Sequence, residues 1–330
     1  MFLWSNYLTN YNLALSTSII ASKKRFRVNR DIGDFQGLEG HMTKRLTRQI
    51  GSYTTSAVGL GTMGLAIEGK PSAEESIDII HQALDAGCRH IDTAWAYYQS
   101  GGQEEVAEML VRQALDSWDG PRKEVMVATK AGHYRNFTDS KPTWAVDGRP
   151  ESLIRYAKQS AQTLGVDTID LLYFHRPDPQ VPYEESIQAM KEIYDQGLAA
   201  SIGISNVSCE QIDIARTILG PALVAVQNQF SPIYRETQDT LDYTAQLGLA
   251  FVCWSPLGGF RKPYDQALFD PFRTVAAAHQ VSYQQIVLAW ELARGTHVFV
   301  LPGTHRASTF LDSLAADQVE LTEDELAYLG

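Results

Sequence analysis

Four ionisable residues in the first half of the chain each lie at or just beyond the end of an apolar segment. They are Asp92, Tyr97, Lys130 and His175. Lys130 closes the run 125–129, and His175 follows the run 169–174. In a barrel of alternating strands and helices, catalytic groups lie at the carboxyl ends of the strands. The placement therefore predicts that the four side chains share one site.

These residue types together suit the reduction of a carbonyl group, in which the oxygen gains negative charge and needs a proton donor. A free tyrosine has a pKa of about 10. A nearby ammonium in a low-dielectric pocket can lower it by roughly 2 to 3 units, or about 3 to 4 kcal/mol. We expect Tyr97 to be the general acid, tuned by Lys130, with Asp92 keeping the ammonium charged and His175 holding the carbonyl oxygen.

Each of these residues alone also fits a purely structural role. Asp92 could be a helix cap, Tyr97 a loop anchor, Lys130 a solvated strand end and His175 a hydrogen-bonded polar residue. Four such residues at one edge of a sheet favour the chemical interpretation over four separate structural ones.

The elements that must position these residues alternate between strands and helices, which predicts an α/β fold with a parallel sheet. Eight runs resemble strands, as a closed (β/α)8 TIM barrel requires: 57–62, 89–92, 125–129, 169–174, 200–204, 223–228, 249–254 and 298–301. Helical patterns lie between them, at 73–86, 104–117, 150–164, 184–196, 208–219, 237–247 and 282–294, with a last one at 323–329. A short hairpin at 48–55 is predicted to plug the opposite end of the barrel. Long loops are predicted at 131–149 and 255–271, on the same face as the four residues.

Residues 42–330 are predicted to form this single barrel domain. Residues 1–41 are predicted to be a disordered tail or a misassigned upstream start, because residues 42–45 resemble a normal start. The chain also stops soon after its last helix, which predicts an open site of broad specificity.

Composition excludes several classes of partner. The net charge is −11, and 330 residues contain no extended Lys and Arg block beyond 23–27, so nucleic acid is a poor candidate. No run reaches the roughly 18 apolar residues of a membrane helix. Three widely spaced cysteines are typical of reduced thiols in a cytoplasmic protein. We expect a monomer or weak homo-oligomer whose partner is a small carbonyl compound.

Other catalytic motifs fit poorly. Residues 59–64 match the dinucleotide pattern G-x-G-x-x-G, but Gly69 and Pro71 separate them from the next helix, so a Rossmann domain is not expected. The metal-binding patterns His-Glu-x-x-His and Cys-x-x-Cys are missing, and we predict no metal. A serine hydrolase would need a Gly-x-Ser-x-Gly elbow, which is also missing.

From about Gly59 to the C-terminus, the chain resembles the aldo-keto reductase family. Six segments carry the resemblance by their order and spacing: 92–97, 128–130, 170–178, 203–206, 254–259 and 302–304. The resemblance implies a TIM barrel that binds NADP(H) in an extended pose and reduces aldehydes or ketones, with Tyr97 as the acid. Tyr98 stands where Gly is usual and Gln103 where Asn is usual, so the loop after the second barrel strand is expected to differ in shape.

The resemblance also implies a set of cofactor contacts besides Asp92. Ser205, Asn206 and Gln227 would hold the nicotinamide carboxamide, and Trp254 would stack on the ring. A loop rich in glycine would line the pyrophosphate. The remaining positions implied for the cofactor are Thr62, Met63, Ser255, Pro256, Leu257, Gly259, Gly303, Thr304, Arg306, Thr309, Asp312 and Ser313.

The choice between NADP(H) and NAD(H) depends on the adenosine end. Gly303 and Thr309 stand where many members carry Lys and Arg for the 2′-phosphate. Arg306 and His305 could replace them, because an arginine suits bidentate phosphate contact. NADP(H) is therefore expected, with NAD(H) possible.

The substrate pocket is predicted to be an aromatic cleft formed by Trp95, Tyr98, His133, Tyr134, Trp144 and Phe260. Two other functions stay open at this point. Some proteins resembling this family are non-enzymatic, cofactor-sensing subunits of channels. Alternatively, Lys130 could form a Schiff base in a barrel lyase or aldolase.

Overall fold

Eight parallel strands form the centre of the computed structural model, which describes residues 44–101, 106–138, 142–259 and 265–330. The predicted tail at 1–41, Gln103 and Phe260 lie outside these residues. The strand bounds are β1 Thr47–Ile50, β2 Tyr53–Ser56, β3 Leu60–Gly61, β4 His90–Asp92, β5 Met126–Ala131, β6 His133–Asn136, β7 Thr143–Val146, β8 Leu171–Phe174, β9 Ile202–Ser205, β10 Leu223–Gln229, β11 Ala250–Trp254 and β12 Val298–Leu301.

Ten α-helices accompany the strands within the residues described. Their bounds are α1 Ala73–Asp85, α2 Val106–Ser117, α3 Pro150–Leu164, α4 Tyr183–Asp195, α5 Cys209–Leu219, α6 Gln238–Leu247, α7 Asp270–His279, α8 Tyr283–Leu292, α9 Ala307–Leu314 and α10 Glu323–Leu329. None of the helices described is long and apolar enough to cross a membrane.

The parallel sheet closes on itself. Its strand order is β3-β4-β5-β8-β9-β10-β11-β12, and parallel bridges from Val58 to Val300 and from Gly61 to Gly303 join the two end strands. This is the (β/α)8 TIM barrel that the eight apolar runs predict. Residues Arg45–Gly330 make up one compact unit.

Local signals explain the helix ends that the sequence predicts. Ser72 accepts a hydrogen bond from the Glu75 amide while the Glu75 carboxylate accepts from the Ser72 amide, and this capping box starts α1. Pro150 opens α3, where its missing N–H has no cost, and Gly165 ends that helix at a φ of 70°.

The barrel interior holds one unusually close contact. Tyr173 on β8 is fully buried, and a Cβ on the neighbouring Gly203 would lie 2.3 Å from its ring. Only glycine leaves room for this ring, which belongs to the apolar cluster inside the strands. Burial, and then the Asp92 carboxylate, hold the pKa of Tyr173 well above its ordinary value.

The antiparallel hairpin β1-β2 is present where the sequence predicts it, with Ile50 packed into the interior cluster. The Arg48 guanidinium donates to the carbonyl oxygens of Leu292, at 2.9 Å, and Gly295, at 2.7 Å. These bonds attach the hairpin to the segment that leads from α8 into β12.

The loop predicted at 131–149 differs in the structure, because it contains a second antiparallel hairpin, β6-β7. The loop predicted at 255–271 overlaps the first two residues of α7, Asp270 and Pro271. Helices α7 and α9 were not expected from the sequence.

Candidate active site

A cavity of about 430 Å³ opens at the carboxyl ends of the barrel strands. Three of the four ionisable residues singled out in the sequence line it: Asp92, Tyr97 and His175. Asp92 ends β4, and Tyr97 lies in the turn that follows. His175 comes directly after β8. Lys130, near the end of β5, is only 1% exposed and contacts the others from beneath. The structure thus brings together all four residues that the sequence singles out, with Lys130 in contact with Asp92 and Tyr97, and His175 beside Tyr97.

Lys130 is the centre of this group. Its Nζ donates to an Asp92 carboxylate oxygen, lies 2.8 Å from the Thr93 carbonyl oxygen and 3.4 Å from the Tyr97 hydroxyl. Burial alone lowers the pKa of the ammonium, but Asp92 and Tyr97 outweigh burial and raise that pKa above its ordinary value. Lys130 is therefore a buried cation held against the tyrosine hydroxyl.

Asp92 is held from two other sides. The Gln227 amide donates to its second carboxylate oxygen at 2.9 Å. The Thr62 hydroxyl and backbone N–H both donate to the Asp92 carbonyl oxygen, at 3.0 and 2.9 Å. These bonds fix the carboxylate that keeps Lys130 charged. The Thr62 hydroxyl, which the sequence assigns to the cofactor, therefore already donates a hydrogen bond within the protein.

His175 lies beside Tyr97, with ring centroids 6.0 Å apart and nearly perpendicular planes. The Asn206 side chain donates to the His175 carbonyl oxygen at 3.0 Å, which fixes the backbone at the histidine. The imidazole and the phenol therefore face the same cavity from two adjacent segments.

Three polar residues predicted for the carboxamide form one hydrogen-bonded group. The Ser205 hydroxyl donates to the Gln227 carbonyl oxygen at 2.6 Å, and the Asn206 amide donates to the Ser205 hydroxyl at 2.9 Å. All three line the cavity, and Asn206 has a φ of 61°, a strained value that tends to occur at functional sites.

The segment after β11 forms the facing wall. Trp254 and Ser255 are half-buried, Ser255 has a φ of 50°, and Pro256, Leu257 and Gly259 complete this part of the lining. The Trp254 indole N–H is buried and has no hydrogen-bond partner among the residues described. A buried donor without a partner, beside preassembled amides, fits a planar polar ring such as nicotinamide.

The segment after β12 extends the same wall. Gly303 and Thr304 line the cavity, as does Met63 opposite them. A Cβ on Gly64 would lie 2.9 Å from the Thr304 carbonyl oxygen, so glycine allows the two segments to meet. The residues present therefore fit an extended nicotinamide cofactor along this wall.

The residues predicted to hold the adenosine end of the cofactor differ in their burial and contacts. Arg306 and Thr309 are exposed, at the start of α9. Asp312 accepts from the Ser282 hydroxyl at 2.6 Å and from the Gln285 amide at 2.7 Å, and Ser313 is buried. Asp312 thus joins α9 to the start of α8.

The predicted substrate residues divide into two groups. His133 and Trp144 line the cavity from hairpin β6-β7. Trp95 instead packs on Tyr156, with centroids 4.3 Å apart, and Tyr98 and Tyr134 pack against the main hydrophobic core. The structure therefore gives the cleft fewer aromatic residues than the sequence predicts.

Several lining residues were not predicted from the sequence: Gly61, Gly64, Ile67, Glu68, Arg176, Leu301 and Pro302. Gly61, Leu301 and Pro302 lie at strand ends, where the barrel rule could have found them. Ile67 and Glu68 lie in a loop with no such signal. A second cavity of about 850 Å³ borders the first and shares Arg176, Asn206, Trp254, Ser255 and Gly259 with it.

Among the residues described, no three His, Cys, Asp or Glu side chains form a cluster that could hold a metal ion. The charged groups at the centre of the site are instead the Lys130 ammonium and the Asp92 carboxylate. Such a pair can stabilise a phenolate at Tyr97 and so favour proton transfer to a carbonyl oxygen.

Known proteins share both the sequence and the architecture. A sequence model of the Aldo/keto reductase family matches residues 57–330. Pyridoxine 4-dehydrogenase of Escherichia coli (strain K12) is 30% identical over 293 residues, covering 86% of this chain and 96% of that protein. Aldo-keto reductase yakc of Schizosaccharomyces pombe, whose name specifies NADP(+), is 28% identical over 309 residues, covering 84% and 88%.

A solved structure agrees with these sequence matches. The thermostable aldo-keto reductase Tm1743, in complex with the inhibitor epalrestat, aligns with a TM-score of 0.72 and 27% identity, over 86% of this chain and 98% of that one. Members of this family are oxidoreductases that act on carbonyl and alcohol groups with a nicotinamide cofactor. The chain belongs to the aldo/keto reductase family.

Proposed function

We propose that the protein reduces aldehydes or ketones to alcohols with NADPH, using Tyr97 as the proton donor. The observation that carries this proposal is the 3.4 Å approach of the Lys130 ammonium to the Tyr97 hydroxyl, beside the buried Asp92 carboxylate. A buried cation at this distance stabilises the phenolate that forms when the proton leaves.

Each of the four residues then has one task. Tyr97 donates its proton to the carbonyl oxygen, and Lys130 stabilises the charge left on the phenol. Asp92 keeps Lys130 protonated, while His175 donates a hydrogen bond that orients the carbonyl. Ser205, Asn206, Gln227 and Trp254 would hold the nicotinamide, which supplies the hydride when bound.

Two findings support NADP(H) as the cofactor. The relative yakc carries NADP(+) in its name. In this chain Arg306 is exposed at the start of α9, next to cavity residues Thr304 and His305, where a guanidinium could reach a 2′-phosphate. We expect Arg306→Ala to weaken binding of NADP(H) but not of NAD(H), as measured by quenching of tryptophan fluorescence. Equal losses for both cofactors would remove Arg306 from this role.

The Schiff-base alternative is weakened by the state of Lys130. A Schiff base needs a neutral amine, whereas this side chain is held by Asp92, Thr93 and Tyr97 and its pKa is raised. A cofactor-sensing subunit would bind the same cofactor but would not need the intact four-residue group.

The direct test follows NADPH consumption with a panel of aldehydes. We expect Tyr97→Phe to lower kcat by about 10² to 10⁴-fold, the usual contribution of a general acid. Tyr98→Phe is the matched control, because the Tyr98 hydroxyl accepts from the Arg135 backbone N–H rather than facing Lys130. Equal rates for wild type and Tyr97→Phe would refute the mechanism, and an inactive wild type that binds NADPH would favour the sensing subunit.

A further inference from the structure

Glu68 joins three loops at the mouth of the cavity. It lies in the loop after β3 and lines the cavity, and its carboxylate accepts from the Arg135 guanidinium at 2.7 Å. Partial burial raises the pKa of this carboxyl, but bonds from Arg135 and from the backbone amides of Glu68 and Ser100 lower it overall. Ser100 belongs to the loop after β4, and Arg135 to hairpin β6-β7.

Arg135 is almost fully enclosed, since its side chain is only 3% exposed. Its guanidinium carbon lies 4.3 Å from the centroid of the Trp144 ring and 5.3 Å from that of Phe137. A planar guanidinium stacks well on such rings, and a point charge such as Lys would not. The cation therefore supports one face of Trp144.

Trp144 also contacts residues close to the reacting groups. His133 stacks on it with centroids 5.1 Å apart, and the Tyr97 ring meets it edge-on at 6.3 Å. The His133 ring also lies 4.6 Å from the His175 ring. An unbroken series of contacts thus runs from Glu68 through Arg135 and Trp144 to the residues proposed as acid and orienter.

We propose that the Glu68–Arg135 ion pair is a positioning pair that holds the Trp144–His133 wall of the cavity in place and thereby sets substrate affinity. The kinetic part of this inference, the change in KM, rests on the proposed function. The pair acts through Trp144, because the Arg135 guanidinium contacts the Trp144 ring and that ring meets the Tyr97 ring.

The unequal burial of the two partners explains why the pair should govern the position of Arg135. The Glu68 side chain is 46% exposed, whereas the Arg135 side chain is 3% exposed. Arg135 is buried, and a buried cation without its counter-charge is strongly unfavourable. Loss of the Glu68 charge should therefore make Arg135 leave its place beside Trp144, so that the wall loses its support.

The test is a double-mutant cycle of Glu68→Gln, Arg135→Gln and the double variant. We expect each single change to raise KM for aldehydes about tenfold, with kcat and the Kd of NADPH changed less than about twofold. The double variant should match the worse single variant, because the same contact is lost only once. Unchanged KM in Glu68→Gln, or single effects that multiply in the double variant, would overturn the proposal.

Arg45→Met is the control, since Arg45 also forms an ion pair with a partly buried geometry, at 3.0 Å from the buried Asp317 and just before the first strand. It should lower the Tm without changing KM. If Arg135→Gln does not fold, Glu68→Gln decides alone.

A second readout does not depend on activity. Chymotrypsin should cleave after Trp144 faster in Glu68→Gln than in wild type, with the site identified by mass. An inactive wild type would refute the proposed function, and the cleavage rates would then test the inference alone. Equal cleavage rates in wild type and Glu68→Gln would overturn the inference.

Discussion

Glu291 on α8 is a carboxyl group buried where its charge has no support. It is 0% exposed, and neither carboxylate oxygen has a hydrogen-bond partner among the residues described. Burial raises the pKa of Glu291 well above its ordinary 4.5, and Arg294 only partly opposes this. The carboxyl therefore keeps its proton to a higher pH in the native protein than in the unfolded chain.

This difference makes stability fall as pH rises. Above pH 4.5 the unfolded chain loses a proton that the native state keeps, and each pH unit costs the native state about 1.4 kcal/mol. This cost grows until the pH reaches the native pKa of Glu291.

Glu291→Gln removes this ionisation and keeps the shape. We expect the free energy of unfolding of Glu291→Gln to gain on wild type as the pH rises above 5, by up to about 1.4 kcal/mol per pH unit. Glu291→Leu also removes the polar atoms that lack partners, and should add about 1 to 3 kcal/mol beyond Gln. Urea unfolding at several pH values, followed by tryptophan fluorescence, measures both differences.

Two features keep the comparison clean. Burial lowers the pKa of His90 to about 4, so wild type also loses stability below pH 6.5, but the variant shares this effect and it cancels in the difference. Glu320, which is exposed, provides the control Glu320→Gln, which removes a glutamate at the surface. A Glu291→Gln curve parallel to the wild-type curve would refute the reasoning, because burial would then not change the pH at which Glu291 ionises.

Two further predictions concern the barrel interior. Asp92→Asn removes the charge that offsets burial of Lys130. We therefore expect kcat to fall at least about 10²-fold and the alkaline limb of the pH–rate profile to move to lower pH. An alkaline limb that does not move would contradict the role assigned to Asp92. Gly203→Ala places a Cβ 2.3 Å from the Tyr173 ring and should destabilise the fold by about 1 to 3 kcal/mol in urea unfolding, whereas a neutral effect would show that the ring can move.

The barrel and the four-residue group could be predicted from sequence because both follow from periodic features. Buried parallel strands are short apolar runs, and the residue that ends each run must lie at the carboxyl edge. This rule alone predicts that Lys130 and His175 lie at the carboxyl edge of the sheet. Helix α7 was missed because Asp270 and Pro271 resemble loop residues, although Pro is also favoured in the first turn of a helix.

Hairpin β6-β7 could not be predicted in the same way, because long-range contacts stabilise it. The contact of Arg135 with Glu68 links residues that are 67 positions apart in the chain. The same limit explains Trp95 and Tyr98, since the direction of a side chain in a loop depends on its packing partners. Trp95 points to Tyr156 on α3 rather than to the cavity.

The interior of the barrel explains why a lysine can be held charged at this site. Tyr173 lies in register with Lys130 on one side and Gly203 on the other, and its ring is part of the apolar cluster beneath the cavity. Water is therefore excluded from the floor of the site, which strengthens the Lys130–Asp92 attraction as well as the cost of burying each charge alone. In the proposed mechanism, the Lys130 charge that acts on Tyr97 thus depends on the buried ring of Tyr173, and Gly203 is the residue that leaves room for this ring.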